Sequence, residues 1–187
     1  HDQQGRLEDR RQRYRQQQRR ERHHQVGEPH QGGIEPPSGD QSRRMPPFKD
    51  DSPHPEKSLY FLHFNTNKRG ITLDIEKADG RAILLELAAK ADVVIETFRP
   101  SHAKELRLTY QDLTASNPGL IVASITPFGQ SGPWRDYKAD DIAGLALGNL
   151  LYLAGEPGEP PLQPPGEIAY GMASTYGAFG IATALYH

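Results

Sequence analysis

The sequence predicts an α/β fold, a Rossmann-like parallel sheet with flanking helices, and three observations predict it. Short β-branched or apolar runs at 71–73, 93–95 and 120–125 alternate with helical patterns. Each run ends in polar, glycine- or proline-bearing residues, as at Asp74, at Thr97 to Pro100 and at Thr126 to Gly129. Between the first two runs, Ile83, Leu84, Leu87, Ala88 and Ala91 recur on one face of a helix that starts at Asp79. In an open α/β sheet, ligands bind outside the carboxyl ends of the strands. The loops after 93–95 and after 120–125 are therefore where a ligand belongs.

Residues 1–33 are a different material. Their basic residues are all Arg, Gln and His abound, and the clearly apolar side chains are Leu7, Tyr14 and Val26. Such a stretch cannot bury a core. Three readings of it stay open: an out-of-frame translation, a disordered tail, or a basic arm for RNA or another anion. Glu8, Asp9 and Glu21 interrupt the arginines and weaken the last. Residues 34–57, rich in Pro, Ser and Asp, read as loop. A short apolar-aromatic turn or helix follows at 59–64, then the strand at 71–73 and the helix from Asp79, where Glu86 and Lys90 sit one turn apart on the outside.

After the strand at 93–95, residues 101–116 carry helical pieces that stop before Asn117 and Pro118, and 120–125 is the next strand. From Asp140, Ile142, Leu145, Ala146 and Leu150 mark a helical face, 155–165 is a Pro/Gly connection, and 167–186 is the last helix. Ala173, Gly177, Gly180 and Ala184 give that helix a small-residue stripe suited to close packing. It is uncharged over 168–186, but its Gly, Ala, Ser and Thr content suits a buried helix better than a membrane span.

Bulk composition narrows the function. Hydrophobic residues are 35% and charged residues 25%, low for a chain that packs throughout. A net charge of -2 gives no case for a nucleic-acid protein as a whole. With Cys at 0, disulfides, thiolate chemistry and Cys-ligated metals are excluded, which fits a reducing compartment. The N-terminus has no apolar stretch of a secretory signal, so a cytoplasmic setting is expected.

Arg99 is the first candidate site residue. A loop after a buried strand, with a helix start at Ser101, places a guanidinium and backbone N–H groups beside any bound phosphate; a solvated arginine before a turn proline is the plainer reading. Lys68 and Arg69 read as phosphate contacts or, more simply, as a charged turn before a strand, and Asp74 as a strand-ending cap. His63 and His102 lack further ligands at metal spacing, so no metal site is expected. The loop from Phe128 to Pro133 is glycine-rich, and Asp141 is expected to cap the helix after it.

These words together resemble the family III CoA-transferases, the group of formyl-CoA transferase, carnitine CoA-transferase and α-methylacyl-CoA racemase. The likeness is carried by Ile34 to Asp40, Asn65 to Asp74, Ala91 to Pro100 and Thr126 to Pro133, and runs from about residue 34 to the last. It implies transfer of CoA between an acyl-CoA and a carboxylic acid, with CoA as substrate and no separate cofactor. It also implies an interlocked homodimer, with no nucleic acid and no membrane as partner. Leu73, Thr97, Phe98, Arg99 and His102 would border the nucleotide half of CoA; Thr97 stands for the family's Asn and Ser101 for its Gly. Residues 34–136 would then be a partial CoA-binding domain and 137–187 the linker and last helices. Relatives continue further, so the chain is expected to be a fragment at both ends.

The resemblance implies one departure. The family's nucleophile is an aspartate, and Tyr170 falls on its position. A phenol with an ordinary pKa of about 10 is a poor nucleophile at neutral pH and forms no exchangeable anhydride. Glu167 is a carboxylate less than a helical turn earlier. The alternatives are a non-catalytic acyl-CoA-binding subunit or a racemase-like enzyme.

Overall fold

A computed structural model describes residues 31–187. The described residues fall into two compact units, one ending at Leu73 and the other running from Asp74 to His187. Both are mixed α/β with short parallel strands and flanking helices, as the sequence predicts.

In the first unit, β1 (Gln31–Glu35) pairs in parallel with β2 (Lys68–Thr72), Gln31 opposite Lys68 and Glu35 opposite Thr72. The N–H of Leu73 extends the ladder, donating to the Glu35 carbonyl at 2.9 Å. The expected strand at 71–73 therefore begins earlier, and the loop reading of 34–57 is corrected at its start. Residues 31–33, grouped above with the arginine-rich segment, lie in a strand; 1–30 lie outside the described residues. The crossover holds α1 (Leu59–Phe64), capped by Ser58, whose hydroxyl accepts the Phe61 N–H at 3.2 Å. Ser58 is wholly buried, with the Met45 carbonyl 2.6 Å from its hydroxyl. Arg43 organises this unit. Its guanidinium donates to both oxygens of Glu35 at 2.7 Å and to Glu56 at 2.9 Å, and lies 3.8 Å above the centre of the Phe61 ring.

In the second unit, β3 (Val93–Glu96) pairs in parallel with β4 (Ile121–Ser124). α2 (Ala78–Ala88) precedes the pair, and α3 (Pro100–Leu106) and α4 (Tyr110–Thr114) form its crossover. α4 opens on a capping box: the Thr109 hydroxyl faces the Asp112 N–H and the Asp112 carboxylate accepts the Thr109 N–H. Ala88, Leu106, Leu108, Leu113 and Leu120 make the core, with Leu84, Leu85, Ala91, Val94, Phe98 and Val122 packed against it. The inward face of α2 matches the expected one at Leu84, Ala88 and Ala91, but Ile83 and Leu87 are exposed and Leu85 takes their place. Gly80 has no substitute in this helix, because a Cβ there would lie 1.9 Å from the Asp74 carbonyl oxygen.

α5 (Asp141–Leu147) and α6 (Ile168–Tyr186) belong to this same unit, so contacts do not separate 137–187 from the strands before it. A Cβ at Gly177 of α6 would meet Ile125 Cδ1 at 2.6 Å, and one at Gly144 of α5 would meet the Ala169 Cβ at 2.8 Å. The small-residue stripe is only partly used, since a Cβ at Gly180 would touch nothing. No helix among the described residues is long and apolar enough to cross a membrane.

Candidate active site

The loop after β3 is built as an open turn into a helix. Phe98 keeps its ring at the core and meets His102 edge-on at 5.7 Å, while Thr97 is exposed. Arg99 is the N-cap residue of α3 but offers it no side-chain acceptor. Pro100 has no N–H, so the first free donor of the helix belongs to Ser101. That donor is taken by Asp136, whose Oδ1 accepts it at 2.8 Å. The Asp136 carbonyl accepts Nη1 of Arg99 at 3.3 Å. Hydrogen bonds from Ser101, with a lesser contribution from Arg135, hold the Asp136 carboxyl below its ordinary value. The sequence pointed this N–H toward a phosphate; in the structure a carboxylate of the chain itself faces it.

Asp136 sits in the loop after β4. Gly129 and Gly132 take positive φ there, 75° and 94°, and Phe128 stacks edge-on with Trp134 and Tyr137, each at 6.2 Å. The Tyr137 N–H closes the turn on the Trp134 carbonyl at 2.8 Å.

The segment continues to Tyr170. Asp140, rather than the expected Asp141, caps α5, accepting the Ala143 N–H at 3.2 Å. Asp141 is buried instead: Oδ1 accepts the Tyr170 N–H at 3.0 Å, and Oδ2 is buried without a partner. The Tyr170 hydroxyl lies 3.5 Å from the Ala139 carbonyl. Burial pushes the phenol above its ordinary value, and the charges of Asp140, Glu167 and Asp141 push it the same way. Tyr170 is thus a neutral hydrogen-bond donor at neutral pH, not a phenolate.

Arg99 and Tyr170 therefore lean on one stretch of chain, Arg99 at Asp136 and Tyr170 at Ala139 and Asp141. Phe98, Arg99 and His102 share the β3–α3 turn, whereas Leu73 lies in the first unit. His102 pairs with Glu105 at 3.4 Å, and Lys68 donates to Asn65 at 3.2 Å, in keeping with a charged turn. No group of three or more metal-ligating side chains is placed for an ion among the described residues. The sequence reading missed Asp136. Its signal was the proline after Arg99, which leaves a helix start in need of an acceptor.

The family model for CoA-transferase family III matches residues 33–187. The chain is 39% identical over 153 residues to the succinyl-CoA:(R)-benzylsuccinate CoA-transferase subunit BbsE of Thauera aromatica, covering 82% of this chain and 37% of that protein. It is 39% identical over 155 residues to the acetyl-CoA:oxalate CoA-transferase of Acetobacter aceti, covering 82% and 39%. Among solved structures, a CAIB/BAIF family protein from Brucella suis is similar with a TM-score of 0.75 and 33% identity, over 83% of this chain and 41% of that one. The chain thus spans well under half the length of these relatives.

Proposed function

Because the chain belongs to CoA-transferase family III, we propose that the whole protein moves coenzyme A from an acyl-CoA to a carboxylic acid. In such a transfer a carboxylate attacks the thioester carbonyl, a C–O bond forms, the C–S bond breaks and CoA thiolate leaves. The thiolate then attacks the carboxyl carbon of the anhydride on the enzyme side, giving an enzyme thioester and releasing the first acid. A second acid runs the two steps in reverse. We assign Arg99 to the phosphates of CoA, with Thr97, Phe98 and His102 bordering the nucleotide. CoA is a substrate, and a homodimer in the cytoplasm belongs to the same proposal.

The observation that carries the reading is the Arg99 turn at the carboxyl end of β3, where a ligand of an α/β sheet belongs. Guanidinium nitrogens there match phosphate oxygens.

One observation favours a second reading. The phenol of Tyr170, which the family resemblance sets at the place of the nucleophilic aspartate, stays protonated beside three carboxylates. A chain so built binds acyl-CoA and leaves the attacking carboxylate to another subunit. The relative from Thauera aromatica is itself named a subunit.

One experiment separates the two. The whole protein is incubated with succinyl-CoA, and peptides are mapped by mass for a CoA adduct that hydroxylamine removes. An adduct on a carboxylate of this chain supports transfer by the chain itself, with Glu167 the first residue to inspect. Binding without any adduct on this chain supports the subunit reading. Turnover with exchange of a carbon-bound proton and no adduct moves the protein to racemase-like chemistry.

A further inference from the structure

We propose that Asp136 is the positioning residue for Arg99, fixing where its guanidinium points before any ligand arrives. This rests on the reading of Arg99 as a contact to the CoA phosphates.

Asp136 makes two bonds to the same turn, on either side of Pro100. Its carbonyl takes Nη1 of Arg99 and its carboxylate takes the N–H of Ser101. The second bond seats the residue, and the first then sets the arginine. The carboxylate is the acceptor that α3 lacks, since Arg99 at the N-cap supplies none. Arg135 Nε lies 3.2 Å from the other carboxylate oxygen, Oδ2. The loop brings its own order to the contact, through the edge-on rings of Phe128, Trp134 and Tyr137.

What the clamp leaves free matters as much. Arg99 is held at Nη1, and its Nε and Nη2 have no partner among the described residues. An arginine has many rotamers and loses that freedom on binding. One held through a single nitrogen keeps donors for an anion while much of the ordering has already been met. A carbonyl suits this task better than a carboxylate, because it fixes the guanidinium without neutralising it.

The test compares CoA with pantetheine, which lacks the phosphates, by calorimetry on the whole protein. Variants are Asp136→Ala, Asp136→Asn, Asp136→Glu, Arg99→Ala and the double variant Arg99→Ala with Asp136→Ala. Asp136→Ala should weaken CoA about tenfold and leave pantetheine unchanged. Asp136→Asn, whose amide oxygen still accepts the Ser101 N–H, should recover most of the loss. The double variant should bind CoA no more weakly than Arg99→Ala, as expected when one residue acts through the other.

Equal weakening of CoA and pantetheine by Asp136→Ala would mark a merely structural role and overturn the proposal. So would unchanged CoA affinity in Asp136→Ala while Arg99→Ala loses it, with the reading of Arg99 left standing. If Arg99→Ala itself binds CoA as tightly as the parent, both fall together. Should Asp136→Ala fail to fold, Asp136→Glu decides. Its longer arm cannot hold both bonds in place, and parent-like CoA affinity would sink the idea.

Discussion

The carboxylate of Asp141 caps a helix other than its own: its Oδ1 accepts the N–H of Tyr170 at 3.0 Å, in the first turn of α6. The donors of a first helical turn have no partner within the helix. A buried side chain at the start of α5 therefore fixes where α6 begins.

Removing that acceptor should cost stability. Asp141→Ala is expected to lower unfolding free energy by about 0.5–2 kcal/mol, the usual penalty for losing the acceptor of a first-turn N–H. Asp141→Asn keeps an oxygen for the Tyr170 N–H and removes the charge from an oxygen that has no partner, so it should cost less. Urea unfolding of the two variants checks the order; equal losses would mean that the charge, not the acceptor, matters.

The phenol of Tyr170 should titrate late. Its folded value lies above the ordinary phenol, for reasons of burial first and neighbouring carboxylates second. A raised value means that its contribution to stability is whole below the ordinary phenol range, near pH 10, and is lost as pH rises through the folded value. Ultraviolet difference titration of the parent against Tyr170→Phe reads this directly. A missing phenol that had ionised at or below the ordinary value would contradict the assignment.

Glu35 should make the first unit acid-sensitive. The hydrogen bond from Arg43 chiefly, then the Asp40 N–H, lowers its carboxyl below the ordinary range. A lowered value gives stability that is complete above the unfolded carboxyl pKa and lost as pH falls through the folded one. Glu35→Gln should flatten that acid limb in hydrogen exchange of the β1 and β2 amides, and an unchanged limb would rule the pair out as its cause.

Two glycines of α6 should respond differently to alanine. Gly180→Ala adds a Cβ into open space and is expected to stabilise the helix by about 0.5–1 kcal/mol. Gly177→Ala drives a Cβ against Ile125 and should forfeit that gain as the side chain is displaced. Thermal melts of the pair test it, and equal shifts would mean that α6 does not pack on the end of β4 as described.

The sequence was most legible where burial wrote it most plainly. Val93, Val94, Ile121 and Val122 are β-branched, and both parallel strands were found to within a residue or two. β1 was not, because Gln31, Gly32 and Gly33 carry no apolar pattern; its strand character comes from pairing with β2. The face of α2 is legible in part: Leu84, Ala88 and Ala91 reach the core as expected, while Leu85 packs there in place of Ile83 and Leu87, a small rotation that only the core sets. Of the site, the Arg99 turn was visible as a motif. Asp136 was not, since its acceptor role is created by a proline distant in sequence, and Asp141 was read as a cap without its true partner.

Trp134 is the single tryptophan of the chain. It lies in the loop that carries Asp136, half in solvent and edge-on to Phe128. The protein therefore contains its own optical probe at the place where the β3 and β4 loops meet. Excitation of that one indole reports on a defined stretch of chain without a label. A ligand that lifts the loop would move Trp134 away from Phe128 and into water, shifting emission to the red, and one that settles on the loop as it stands would leave the colour alone.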